Sequence, residues 1–419
     1  MRGFLAVLAT TGALFGALSA PAGAQSTGAA QRSLQRALHG AMQEAGRYSG
    51  AYVVDMNTGR ALFSQAATRP RLPASVEKVY TTSTALVRLG ANTRLATGVF
   101  GSGTVSGGTW HGTLYLRGGG DPTFGSRSYD HYAYNSGATV QQLVANLIAA
   151  TGIHAIQGRI VGDESYFDSL RGTPPYGDNA STDIEGELSA LAYDRGLANE
   201  QGTAFQSRPA LFAAEQFAAA LRAAGVKVPN GIPIYTGTTP SSAQQLGLVH
   251  SPKISWLIHL TNSPSDNFFA EMLLKGIGAK FGGAGSTAAG AAVVRSQLAS
   301  FGIHPKLNDG SGLSRSDQTT PQQVVTVLEK MATNRAFTSS LAIGGETGTL
   351  VDEMRGTAAQ RNCIGKTGTL HDVASLAGYC TARDGHKLVF AFLFNRLGNP
   401  DAGHLIEANM AATVAKYDG

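Results

Sequence analysis

Two textures alternate along this chain, and the order in which they appear restricts its fold more than any figure of composition does. The first is amphipathic helix with short hairpins. Leu34, Leu38 and Met42 mark one face of a helix that fades by Gly46. "GAYVVDMNTGRALFS" is two strand-like runs around Asn57-Thr58-Gly59. "PASVEKVYTTSTALVRLG" then carries Val76, Val79, Leu86 and Leu89 at helical spacing from about Ala74 until Gly90 closes it. Near Arg94 the pattern changes to short strands with Gly-rich turns ("GTLYLRGGGDP", "IQGRIVGDESYF"), alternating with apolar-faced helices near 140–150 and 209–224. From Ile254 the helical texture returns, passes through "VVTVLEKMA" and the strands of "CIGKTGTL…ASLAGYC" and "KLVFAFLFN", and ends in a helix over 404–417. A chain that leaves a pattern and comes back to it builds one layer from its two ends. The expectation is an α/β (α+β) protein whose helix-and-sheet domain, residues 25–95 and 245–419, is interrupted by a mixed α/β domain at 96–244. The 419 residues are also too many for one ordinary core.

The first residues read differently. Arg2, a small apolar run from Phe4 to Ala20 and Ala22-Gly23-Ala24 predict a signal peptide over 1–24, cut before Gln25. The cut chain is expected in the periplasm or extracytoplasmic cell-wall space, with no transmembrane anchor, since no later segment approaches the ~18 apolar residues of a span. The net charge of +5 is spread without a block of Lys or Arg, which excludes nucleic acid as a partner. Cys363 and Cys380 are the two cysteines. A hairpin turning near His371-Asp372 would set them opposite each other, where a disulfide and a pair of buried thiols are both open. No His stands near them, so no zinc site is expected, nor any other metal or cofactor.

Three short motifs carry the chemistry. In Ser75-Val76-Glu77-Lys78, a serine and a lysine three apart on a helix lie one turn apart on one face, so the amine can reach the hydroxyl. A serine needs a base, and a desolvated neutral lysine is one. Bringing a lysine from about 10.4 down to ~7–8 costs roughly 4 kcal/mol, which burial beside a second cation would supply. Ser265-Asp266-Asn267 precedes an apolar helix. All three types favour helix N-caps, and the functional reading is a hydroxyl that relays a proton and an amide that orients a substrate peptide group. Lys366-Thr367-Gly368-Thr369 lies on a strand-like run, where Thr367 and Thr369 point to one face, the Lys366 cation and the two hydroxyls on that face would bind a carboxylate, and Gly368 lets a ligand backbone lie close. Twenty residues earlier Gly345–Leu350 repeats the hexad Gly365–Leu370 with Glu346 in place of Lys366, and so reads as a structural turn.

Competing motifs fail. Gly365-Lys366-Thr367 ends like a phosphate-binding loop, yet the glycine such a loop needs five residues earlier is Gln360. No G-x-S-x-G elbow exists for a histidine-based triad, and each of the ten His reads as a surface or turn residue.

With these motifs in this order, and with "LPASVEKVYTT", "GTLYLRGGGDPTF", "GRIVGDESYFD", "DGSGLSR", "GTLVDEMR" and "KTGTLHDVASLAGY", the chain resembles the low-molecular-mass class C penicillin-binding proteins, the D-alanyl-D-alanine carboxypeptidase/endopeptidase family. The 190 positions from Ser75 to Ser265 exceed what class A β-lactamases or shorter carboxypeptidases place between these motifs, and the excess is the insert. The resemblance implies a β-lactamase/transpeptidase-like domain that acts on peptidoglycan stem peptides ending in D-Ala-D-Ala and is acylated by β-lactam antibiotics. It implies Ser75 as nucleophile, Lys78 as base, Ser265 as proton relay, Asn267 as holder of the acyl side, Lys366 as the charge that keeps Lys78 neutral, and Thr367 and Thr369 on the terminal carboxylate. It further implies a pocket for a diaminopimelate side chain, for which Asp163 and Arg315 are the candidates, while Asp121 reads as a turn-former. The insert is shorter than in fuller members, and "DIEGELSALAYDRG" matches only loosely. The alternative is a β-lactamase-like or esterase hydrolase on the same fold, which needs a deacylating base that no glutamate announces.

Overall fold

The computed structural model describes residues 22–419. The signal-peptide reading of 1–24 therefore falls, up to residue 21, outside the described residues. Helix α1 (Ala22–Glu44) leads into the hairpin of β1 (Gly50–Asp55) and β2 (Arg60–Gln65), which turns where Gly59 takes φ +71°. The expected helix from Ala74 begins as one 3-10 turn, Ala74–Glu77, before α2 (Lys78–Arg88).

The second texture follows, with β3 (Arg94–Ser106), β4 (Thr109–Arg117), α3 (Arg127–Ala133), α4 (Val140–Thr151), β5 (Ala155–Asp163), α5 (Pro209–Ala223), β6 (Ile234–Thr236) and β7 (Gln244–Lys253). These strands make one sheet in the order β6-β5-β4-β3-β7, whose apolar face is closed by α4 and α5 around Leu114, Leu143, Leu147, Ile160 and Phe217. Strand β7 extends nine residues beyond the expected boundary at 244, because the alternation in "QQLGLVHSPK" pairs with β3 and not with the helices that follow. The two crossings between layers lie side by side: Ile254 N donates to Thr93 O (2.8 Å), and Arg94 Nη1 donates to Ser251 O (2.7 Å). The segment from β3 to β7 therefore leaves the other layer at nearly the point where the chain returns to it.

Beyond it come α6 (Ile254–Asn262), α7 (Asn267–Phe281), α8 (Thr287–Ala299), α9 (Pro321–Met331), α10 (Arg335–Thr338), β8 (Ala342–Ile343), β9 (Cys363–Leu370), β10 (Val373–Thr381), β11 (Lys387–Asn395) and α11 (Pro400–Ala415). The first hairpin joins the last strands in an antiparallel sheet ordered β2-β1-β11-β10-β9-β8. Strands β10 and β11 read as unbroken apolar runs because both their faces are covered. Ala377, Tyr379, Val389, Ala391 and Leu393 pack towards α2 and α6–α9. Leu376, Leu388, Phe390, Phe392 and Phe394 pack towards α1 and α11.

The β9–β10 register pairs Val373 with Leu370 and Cys380 with Cys363, as a turn at His371-Asp372 requires. A Cα–Cα distance of 4.1 Å there allows the bridge, and the two cysteines form a disulfide.

Candidate active site

Ser75 sits on the 3-10 turn, where Ala74 takes φ +47°, and α2 starts at Lys78. The turn fits only because Gly312 has no side chain: a Cβ there would meet Ala74 O at 1.9 Å, and its φ is +84°. Lys78 is fully buried, and its Nζ lies 2.8 Å from Ser75 Oγ, 2.5 Å from Asn267 Oδ1 and 2.9 Å from Ser311 O. A neutral amine has two N–H bonds and one lone pair. With the two hydrogens on Asn267 Oδ1 and Ser311 O, the lone pair is left facing the serine hydroxyl. Burial brings the Lys78 amine down to about 8, against the pull of Asp309, Glu185, Glu271 and Asp266 in the other direction.

Asp266 is the residue that caps α7, accepting from Phe269 N at 2.9 Å. This leaves its neighbours free for other contacts: Ser265, in a left-handed conformation at φ +70°, and Asn267, which reaches Lys78. The same Asp266 is clamped by Arg195, with Nη1 to Oδ2 at 2.6 Å and Nη2 to Oδ1 at 3.0 Å. Arg195 lies over the Phe268 ring at 4.8 Å and donates from Nε to Glu185 O. Asn267 also donates from Nδ2 to Asp183 O (2.6 Å). The segment that matched the family only loosely thus supplies the clamp on the second motif. A lone arginine closing the apolar run "LSALAY" was the signal for it.

Strand β8 pairs only with Ile364 and Gly365, which leaves the edge of β9 from Lys366 to Leu370 open on the cleft side. Lys366 and Gly368 share one face and the two threonines the other, so the charge and the hydroxyls do not stand on one face as the sequence suggested. Lys366 is fully buried, its Nζ donates to Thr367 O at 2.8 Å, and burial followed by Lys78 pushes it well below the usual lysine range. Two buried amines side by side thus disfavour each other's charged form.

The close approach that Gly368 permits is to the protein itself: a Cβ would come within 2.8 Å of Pro73 O and of Ser75 N. Ser375 Oγ donates to Pro73 O at 2.6 Å and further ties strand to nucleophile. Thr367 Oγ1 donates to Thr349 Oγ1 (2.7 Å), and Thr349 N donates to Ser263 O (3.0 Å). The first hexad is a turn, with Glu346 paired to Arg361 (2.7 Å), and it braces the second and third motifs against each other. Thr369 Oγ1 lies 2.7 Å from His404 Nε2, a histidine that no motif marked.

Asp163 does not join this group. It is 1% exposed at the end of β5, and its oxygens accept from Ser165 N (2.9 Å) and Thr239 N (2.7 Å), so burial closes it to a ligand amine and its bonds serve its own loop. Arg315 is exposed on the loop that presents Ser311 O, and pairs with Asp372 at 2.7 Å. Asp121 bonds Thr123 N and Oγ1, as a turn-former does.

Beneath Lys78, oxygens of Glu77, Asp309 and Asp317 lie within 4.8 Å of one another, all buried. Asp309 accepts from Gly312 N and Ser314 N, and Asp317 from Asn308 N, which folds the 309–317 loop. Burial, then Asp317 and Asp309, hold Glu77 well above the usual carboxyl range. Burial and the neighbouring acids thus favour the protonated form of Glu77, whose oxygens lie beside those of Asp309 and Asp317.

A sheet between helical layers, with a serine and a buried lysine meeting at its edge, defines the β-lactamase/transpeptidase-like class. The family model described as the D-Ala-D-Ala carboxypeptidase 3 (S13) family matches residues 31–198 and 178–417, so the chain belongs to that family and is a low-molecular-mass class C penicillin-binding protein. It is 28% identical to the D-alanyl-D-alanine carboxypeptidase of Actinomadura sp. (strain R39), over 96% of this chain and 88% of that protein. It is 32% identical to carboxypeptidase DacB of Mycolicibacterium smegmatis, over 83% of this chain and 76% of the relative. Its fold is similar to that of penicillin-binding protein 4 from Haemophilus influenzae (TM-score 0.77, 22% identity, 91% of this chain and 99% of the other), also solved complexed with a novel β-lactam (TM-score 0.72, 20% identity, 91% and 99%).

Proposed function

We propose that the protein is a serine D-alanyl-D-alanine carboxypeptidase of peptidoglycan stem peptides, working through a Ser75 acyl-enzyme. The observation that carries this reading is the placement of Lys78 Nζ, held by Asn267 Oδ1 and Ser311 O with Ser75 Oγ at 2.8 Å. The stem peptide adds along the open edge of β9, where main-chain groups are unpaired. Its terminal carboxylate is bound by the hydroxyls of Thr367 and Thr369 and favours the charged form of Lys366. Repulsion between the two amines then leaves Lys78 neutral, so the substrate itself prepares the base. Ser75 attacks the penultimate D-Ala carbonyl as Lys78 takes its proton. The oxyanion is met by the N–H groups of Ser75 and Thr369, worth roughly 3–4 kcal/mol each in serine hydrolases. Ser265 relays the proton to the leaving D-Ala amine, Asn267 holds the acyl-side amide, and water hydrolyses the ester. A β-lactam enters the same way and forms a long-lived acyl-enzyme. A peptide cross-link ending on a D-amino acid offers the same carbonyl, which makes endopeptidase action chemically equivalent.

We further infer that the sheet of β3–β7 with α4 and α5 is an accessory domain and that the chain is exported. No described helix is long and apolar enough to cross a membrane. Fractionation of producing cells that finds the protein, starting at Gln25, outside the cytoplasm supports export; retention inside with residues 1–24 attached refutes it. The activity is tested by intact mass after incubation with a penicillin. The wild type gains one adduct and Ser75→Ala gains none, whereas an adduct on both identifies a different nucleophile.

A further inference from the structure

Thr369 bonds through its hydroxyl to a buried pair that the reaction scheme leaves unused. His404 Nε2 is 2.7 Å from Thr369 Oγ1, and His404 Nδ1 is 3.1 Å from Glu407 Oε2. Glu407 is fully buried and the His404 side chain 15% exposed, so the ring is fixed between a carboxylate behind it and a threonine at the cleft in front. We propose that His404 is a positioning residue whose proton decides which way the Thr369 hydroxyl donates, and hence whether Thr369 can bind a substrate's terminal carboxylate. The proposal rests on the reading above, which places that carboxylate at Thr369.

The logic is one of hydrogen-bond polarity. In either state Nδ1–H donates to Glu407. When the ring carries two protons, Nε2–H donates to Thr369 Oγ1, and the threonine hydrogen is free to donate to a carboxylate. When the ring carries one, Nε2 is a lone pair that takes the threonine hydrogen. Thr369 then shows the ligand only oxygen lone pairs, which repel a carboxylate. The charged groups bearing on the ring are all acids: Glu407 and Asp401 on α11, and Glu353 on the turn that follows the first hexad. Burial opposes the imidazolium, but the bond and charge of Glu407, with Glu353 and Asp401, outweigh it and raise His404 above its ordinary value of 6.5. Burial likewise raises Glu407, to about 7, against the pull of His404. The ring is held between its two partners, and Glu407, Glu353 and Asp401 favour its doubly protonated form. Because the carboxylate prefers the protonated ring, affinity falls as pH rises through this titration.

The test uses the full-length protein with an acyl-D-Ala-D-Ala peptide. KM and kcat are measured from pH 5.5 to 8.5 for wild type, His404→Gln and Glu407→Gln, alongside nitrogen NMR of the wild-type His404 ring. In the wild type, KM should rise roughly tenfold as the ring loses its proton, the worth of one hydrogen bond to a charged group, with the change concentrated in KM. His404→Gln, whose amide cannot titrate, should lose that step, and Glu407→Gln should move it to lower pH. A KM step that survives in His404→Gln, a flat wild-type KM with turnover intact, or an Nε2 that never changes protonation would each overturn the proposal. If the wild type releases no D-Ala at all, the carboxypeptidase reading falls instead, and the NMR titration alone then decides whether the ring switches.

Discussion

Lys78 is where the energetics of this protein concentrate. An ammonium buried without compensation would cost several kcal/mol, and here the surrounding acids offset burial only in part, so the amine settles at about 8. The active form is the neutral amine, so the second-order rate of acylation by a penicillin should rise with pH, reaching a plateau above about 8. A rate independent of pH from 6 to 9 would remove Lys78 as the base. Arg195 is a second residue of this kind, since removing it leaves the Asp266 carboxylate half-buried beside the base. Arg195→Ala should cost about 3 kcal/mol of stability, as one-sided loss of a buried pair does, and Arg195→Lys should recover little, because a point charge cannot replace two parallel hydrogen bonds. Urea unfolding of the two variants measures both.

Strand β9 is the element on which the site depends most. It is pinned at one end by the Cys363–Cys380 bridge and at the other by Ser375, Pro73 and the glycine pair Gly312 and Gly368. The bridge spans a sequence separation of 17, and a loop of this size is worth about 3 kcal/mol by the chain-entropy model. Cys363→Ala/Cys380→Ala should lower the urea midpoint accordingly, and an unchanged midpoint would show that the hairpin needs no covalent closure. Gly312→Ala acts differently. Its methyl must displace the carbonyl of Ala74 at a positive φ, so penicillin acylation should fall at least tenfold while the fold is kept. Acylation at the wild-type rate would mean that the nucleophile turn is not set by this contact.

At the scale of the whole molecule, buried acids outnumber buried cations among the described residues. Asp121 and Glu187 are raised to about 7, chiefly by burial, and Glu77 and Asp309 are also well above the carboxyl range. A group whose folded pKa exceeds its unfolded value binds its proton more tightly when folded. Its contribution is complete below the unfolded pKa and is lost as pH rises through the folded one. The protein should therefore be more stable at pH 5.5 than at pH 8. Lys78, lowered to about 8, acts in the opposite sense only above that pH, whereas Lys366, lowered further, begins to oppose the acids at lower pH and reduces the difference without the number of groups to reverse it. Glu77→Gln, which keeps a donor towards Asp317 without an ionisable proton, should flatten the slope between those two pH values. Equal urea midpoints at pH 5.5 and 8 in the wild type would contradict the account.

Periodicity carried much of the fold. The helix from Ala74, the hairpin at Gly59 and the β9–β10 register follow from patterns of apolar residues and turn formers that act over a few positions, which is why they were legible in the sequence. The Ser75–Lys78 contact was implied by a spacing of one helical turn, whereas the bond of Lys78 to Asn267, 189 positions away, was not. Partnerships between distant segments were not legible. Arg195 clamps Asp266 across 71 positions, and His404 reaches Thr369 across 35. Asp163 turned out to serve its own turn and Thr239. The sign of Lys366 belongs here too, since a lysine's charge depends on how much water and how many acids surround it. The sequence by itself determined which elements form and which residues can react. The tertiary structure alone decided which of those residues are buried together, and thereby which carry charge.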